Sequence, residues 1–107
     1  MLMKLAAEAV VNGAGSLEKS EIAERLALLD GWILADDGRA VERRFEVKNF
    51  ARAQAIATLA GGVAETAGHH PDISFGWGYC TIRFTTHSAG GITMNDLICA
   101  ARLNLLT

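Results

Sequence analysis

Residues 69–96 read HHPDISFGWGYCTIRFTTHSAGGITMND, and this stretch decides the fold. From Ile73 to His87 the pattern is strand, short turn, strand. Gly76 and Gly78 flank Trp77 at the bend, and Cys80, Ile82 and Phe84 then alternate with Thr81, Arg83 and Thr85. That period of two marks a strand with one buried face. His87 continues the polar series at the strand end. Residues 88–91, Ser-Ala-Gly-Gly, form a loop. Thr93-Met94-Asn95-Asp96 has the spacing of a capping box, in which a hydroxyl and a carboxylate three residues apart satisfy each other's free N–H groups. It opens a last helix with Leu97, Ile98, Ala101 and Leu105 on its apolar face.

Working upstream, Asn49 is placed to cap a long helix. Phe50, Ala53, Ala57, Ala60, Ala64 and Ala67 form one stripe of it, small enough for a sheet to approach closely. Gly61-Gly62 weakens that helix by ~1 kcal/mol per glycine relative to alanine, so the pair predicts a close backbone contact or a bend. Gly68 ends it. Before it, Trp32, Ile33 and Leu34 begin an extended run, and Asp36-Asp37-Gly38 is a hairpin turn signal. In the next strand Val41, Arg43, Phe45 and Val47 point to the buried side, and Glu42, Arg44 and Glu46 point away. Leu17 to Leu29 has helical spacing through Ile22, Leu26 and Leu29, and Asp30-Gly31 stops it. The order is helix, two strands, long helix, two strands, helix. It predicts an α+β domain, a four-stranded antiparallel sheet with three helices packed on one face. The other face, carrying Thr81, Arg83, Thr85 and His87, is left open for a cleft or a dimer contact. The domain spans residues 16–107. Residues 1–15 are expected to be an N-terminal extension, a frayed or loosely docked helix ending at Asn12-Gly13-Ala14-Gly15.

Composition narrows the function. The chain has 107 residues, half of them hydrophobic, and a net charge of -2. One domain of this size buries roughly two-thirds of its unfolded surface and needs no staples. It is too apolar for a disordered chain, and it has no basic excess for neutralising nucleic-acid phosphates. The N-terminal apolar run is broken by Glu8, too short for a signal peptide, and no stretch approaches the ~20 apolar residues of a membrane span. Cys80 and Cys99 read as free thiols packed as small apolar residues, which fits a reducing cytoplasm.

The chain has three histidines and one proline, and they cluster. His69-His70-Pro71 follows the long helix, and His87 leaves the strand that returns beside it. Glu65, four residues before His69, shares its face if the helix persists. Pro71 drives His70 out of the helical region, so two imidazoles are held at a helix–strand junction. Each residue has an ordinary explanation as well. A histidine pair at a helix end suits the helix dipole, Asp96 is accounted for by the capping box, and Trp77 by the core or an edge. Three readings stay open on the residues alone: acid–base catalysis by imidazoles, a metal site without any H-E-x-x-H or C-x-x-C spacing, and a binding or dimerisation module.

The run Glu65-Thr-Ala-Gly-His69-His70-Pro71, with Trp77, Thr86-His87-Ser88-Ala89-Gly90-Gly91 and Asp96, resembles the pterin-4a-carbinolamine dehydratase family. Leu29-Asp30-Gly31-Trp32, Arg39-Ala40, Arg44-Phe45 and Asn49-Phe50 extend the resemblance over residues 17–106. It implies a hydro-lyase that removes water from a 4a-hydroxytetrahydropterin to give quinonoid dihydropterin, in tetrahydropterin recycling, with no cofactor and no metal. His69, His70 and His87 would be the catalytic and substrate-binding groups. Glu65, as a support for His69, and Trp77, Thr86 and Asp96 would be substrate-binding or supporting residues. The resemblance further implies a homodimer or homotetramer and, from members that act as dimerisation cofactors of a homeodomain transcription factor, a protein partner. Two departures flank the site. Ile73 stands where the family commonly has an aromatic, and Phe75-Gly76-Trp77-Gly78 replaces a polar, tyrosine-containing run.

Overall fold

The computed structural model describes Met1–Thr107. Its sheet contains β1 (Ile33–Ala35), β2 (Ala40–Glu46), β3 (Asp72–Gly76) and β4 (Tyr79–Phe84), all antiparallel and ordered β1-β2-β4-β3. The helices are α1 (Leu2–Ala6), α2 (Lys19–Leu26), α3 (Phe50–Ala67) and α4 (Met94–Leu106). The expected α+β class and four-stranded antiparallel sheet are present, and α1 is the N-terminal helix expected in addition to the three packed ones.

Register explains the two faces. Val41 pairs with Phe84, Arg43 with Ile82 and Phe45 with Cys80. All six side chains therefore point to the helix side. Val41, Cys80, Ile82 and Phe84 have no exposed surface. Each large apolar side chain buried this way contributes roughly 1.5–3 kcal/mol. Arg43 is the polar member of that face, and the fold satisfies it. Its Nη1 donates to Asn104 Oδ1 at 2.6 Å, an oxygen that also accepts from Trp32 Nε1 at 2.8 Å. Its guanidinium lies 4.0 Å from the Phe45 ring centroid. On the opposite face Glu42 pairs with Arg83 and Arg44 with Thr81.

The β1–β2 turn places Asp36 and Asp37 at φ 54 and 55, left-handed geometry that aspartate tolerates better than bulkier residues. Asp36 accepts hydrogen bonds from Arg83 Nη2 at 2.9 Å and Arg39 Nη2 at 3.2 Å. The Arg83 bond, with help from Arg39, holds the Asp36 carboxyl below the usual carboxylate range.

Helix α3 begins as predicted, with Asn49 Oδ1 accepting from Arg52 N–H at 2.9 Å. Ala53, Ala60 and Ala64 are buried against the sheet and α4. The glycine pair behaves differently from expectation. α3 is one uninterrupted 18-residue helix, and a Cβ at Gly61 or Gly62 would meet nothing within 4 Å. No close contact requires them. Phe50 is half exposed and packs on Phe75, with centroids 5.6 Å apart. Cys80 and Cys99 are free and buried, and burial pushes the Cys99 thiol up to about 11.

The N-terminal segment is not loose. Leu5 and Ala6 belong to the main core, and α1 packs on α4. Arg102 donates to Ala6 O at 3.0 Å and Glu8 O at 2.8 Å, closing carbonyls at the end of α1. The Asn95 side chain takes both polar groups of Val11: its Oδ1 accepts from Val11 N–H at 2.9 Å and its Nδ2 donates to Val11 O at 2.8 Å. These partners lie more than 80 positions away in sequence, which is why local patterning reads the segment as frayed.

Candidate active site

His69 is reached where α3 ends. Gly68 adopts the left-handed conformation, φ 66, and the His69 N–H bonds back to Ala64 O. Such a glycine cap turns the chain sharply out of the helix. The β3–β4 register, Asp72 opposite Arg83, then carries residues 69 and 70 alongside residues 85 and 86. His69 lies with its ring nearly parallel to Phe84 at 6.0 Å, and its side chain is 14% exposed.

The decisive contact is His69 Nε2 to Asp96 Oδ1, 2.5 Å. Asp96 is fully buried. Its Oδ2 accepts from the Thr86 hydroxyl at 2.8 Å and from the Thr93 N–H at 2.9 Å. Thr86 and Thr93 hydroxyls are themselves 2.9 Å apart. With Nε2 engaged by the Asp96 carboxyl, Nδ1 is the ring nitrogen of His69 that no protein group occupies. A histidine backed in this way accepts a proton at its free nitrogen, and the carboxylate stabilises the resulting imidazolium.

The other predicted residues are distributed around this pair. Glu65 does not support His69. Its Oε2 lies 3.2 Å from His70 Nε2, with both side chains exposed. The expected four-residue spacing fails because α3 has already ended at Ala67. His87 is not on the strand. It opens a 3₁₀ turn at residues 87–89, fastened by the Thr86–Gly91 bridge. Continued alternation sends Thr86 inward to Asp96 and Thr85 outward with Arg83, and the 3₁₀ turn leaves His87 on that outer side. Two concavities result on either side of residues 85–88. One, about 290 Å³ and mainly polar, is lined by His69, Thr86, Ser88, Asn95 and residues of the N-terminal segment. The other, about 330 Å³, is lined by His87, Thr85, Arg39, Arg83 and Asp36. Trp77 is 73% exposed at the far end of the β3–β4 hairpin. The five residues of β3 put it roughly 16 Å from the histidine end, so within one chain it is not a neighbour of this site. A larger apolar groove, about 570 Å³, lies by Met3, Val63, Leu105 and Leu106, away from every histidine. No three His, Cys, Asp or Glu side chains converge on a point that could hold a metal ion.

This geometry sits in a chain that matches the family model of pterin 4 alpha carbinolamine dehydratase over residues 15–106. The chain belongs to the pterin-4a-carbinolamine dehydratase family. A protein of Paracoccus denitrificans, provisionally named pterin-4-alpha-carbinolamine dehydratase, is 51% identical over 100 residues, 94% of each chain. A similarly named protein of Cupriavidus pinatubonensis is 42% identical over 88% of this chain and 81% of its own. Among solved structures, a transcriptional coactivator/pterin dehydratase from Brucella melitensis superposes with a TM-score of 0.80. It is 33% identical and covers 86% of this chain and 98% of its own. A pterin dehydratase-like protein identified as a RuBisCO assembly factor in the alpha-carboxysome shares the fold, at a TM-score of 0.59 and 23% identity over 71% of this chain and 88% of its own. Two residues of this dehydratase-family site escape sequence reasoning. Thr93 and Asn95 look like ordinary helix-start residues, and nothing local signals that one braces Thr86 and the other grips Val11.

Proposed function

We propose that this chain dehydrates a 4a-hydroxytetrahydropterin to quinonoid dihydropterin by histidine acid–base catalysis, in support of tetrahydropterin recycling. The buried Asp96 against His69 Nε2 is the observation that carries the reading. In the reaction the C4a–O bond breaks and the departing hydroxyl leaves as water after receiving a proton. The neighbouring ring nitrogen loses its proton, and the C4a=N double bond forms. Nothing is oxidised or reduced, so a base and an acid near neutrality are the chemistry required. His69, backed by Asp96, is assigned the proton-accepting role. His87, exposed in the concavity on the other side of residues 85–88, is assigned the donor role across that segment, and His70 with Glu65 orients the substrate. The test is an assay of 4a-hydroxytetrahydropterin dehydration with His69→Ala and His87→Ala beside the wild type. The expected loss is ~100-fold or more in each, and full activity in both variants would overturn the assignment.

A second reading is favoured by a specific surface. Edge strand β3 and its turn expose Ile73, Phe75 and Trp77, and unpaired strand edges invite pairing. A homodimer or homotetramer, or a non-catalytic partner-binding module like the coactivator for which the Brucella relative is named, would use such a surface. A folded wild type without dehydratase activity would favour the binding module. Light scattering that finds only monomer at micromolar concentration would remove self-association.

A further inference from the structure

The family match begins at residue 15, yet the cavity beside His69 is walled on one side by Val10, Asn12, Gly13 and Ala14. That wall is built in. Arg102 holds the end of α1, and Asn95 grips Val11 through both backbone polar groups. Asn95 lies beside Asp96 on the first turn of α4, so one helix turn orients His69 and fixes the wall facing it. The two Asn95 bonds are the only side-chain hydrogen bonds that reach residues 10–14. They leave the solvent-exposed Asn12 amide, one donor and one acceptor group, free of protein partners at the lip of a mainly polar cavity. We infer that the segment 10–14 is the substrate-facing wall of the His69 cleft and that Asn12 is a specificity-determining residue, hydrogen-bonding the polar edge of a pterin-type heterocycle.

This inference rests on the dehydratase reading above. Asn12→Ala removes an exposed side chain that makes no hydrogen bond within the protein, so its melting temperature should equal that of the wild type. Its KM for the 4a-hydroxytetrahydropterin and its dissociation constant for 7,8-dihydropterin should both rise about 3- to 10-fold, the size of one neutral hydrogen bond, with a smaller change in kcat. Adding 7,8-dihydropterin to the wild type should also shift the Gly13 backbone amide resonance. Wild-type turnover with unchanged KM, unchanged dissociation constant and a still Gly13 resonance in these tests would overturn the wall and leave the dehydratase reading standing. A wild type that neither binds nor turns over a pterin would remove the dehydratase reading, and the inference with it.

Discussion

Asp96 is a fully buried carboxyl with three hydrogen-bond partners. Its carboxylate accepts from a ring N–H, a hydroxyl and a backbone N–H with no exposed surface of its own. The same residue therefore starts α4 and orients His69. Asp96→Asn tests the two roles separately, because the side-chain amide keeps the volume and one carbonyl acceptor while losing the charge. We expect dehydratase activity to fall ~100-fold or more, since a neutral amide does not stabilise an imidazolium. Stability should fall by about 1–2 kcal/mol from the weakened cap and hydroxyl bond. Denaturant unfolding beside kinetic assay separates the effects, and an unchanged kcat would show Asp96 to be only a cap. The capping spacing was legible because it is local. The bond to His69 spans 27 positions and depends on how α4 meets the end of α3. The Glu65 pairing failed for a related reason. Helical spacing predicts partners only while the helix lasts, and Gly68 ends it before His69.

At the scale of elements, α3 carries the site on its C-terminal end. Its cap, length and alanine stripe follow from sequence periodicity. The glycine pair does not, because alanine would fit at both places. Gly61→Ala should therefore stabilise the protein by about 0.5–1 kcal/mol through reduced backbone entropy of the unfolded chain. An unchanged or lowered denaturation midpoint would show a constraint at Gly61 beyond its surroundings in a single chain. The β3–β4 hairpin is likewise legible in outline. Its alternation marks Cys80, Ile82 and Phe84 as inward, and all three are buried. The end of that alternation is harder to see. Thr85 and His87 continue the polar pattern in sequence, but the Thr86–Gly91 bridge closes the strand and a 3₁₀ turn follows.

At the scale of the molecule, the N-terminal helix is part of the core. Leu5 is 4% exposed, so Leu5→Ala should cost about 2–3 kcal/mol, near the lower end for a buried leucine in a small domain. A denaturation midpoint within error of the wild type would return the segment to the frayed state that its sequence suggests. The docking matters beyond stability, since α1 delivers residues 10–14 to the cavity beside His69.

Alternating strands, the helix caps at Asn49 and Thr93 and the Asp-Asp-Gly turn are all consequences of interactions within a few residues, and the grouping of three histidines near one proline is visible in the sequence itself. They were readable because backbone geometry repeats at fixed short periods. The Asp96 partner of His69, the two sides of residues 85–88, the distance of Trp77 and the docking of the first fourteen residues belong to packing. These depend on where helix ends and strand ends meet in space, through side chains such as Asn95 and Arg102 that bridge more than 80 positions. No local spacing encodes that meeting.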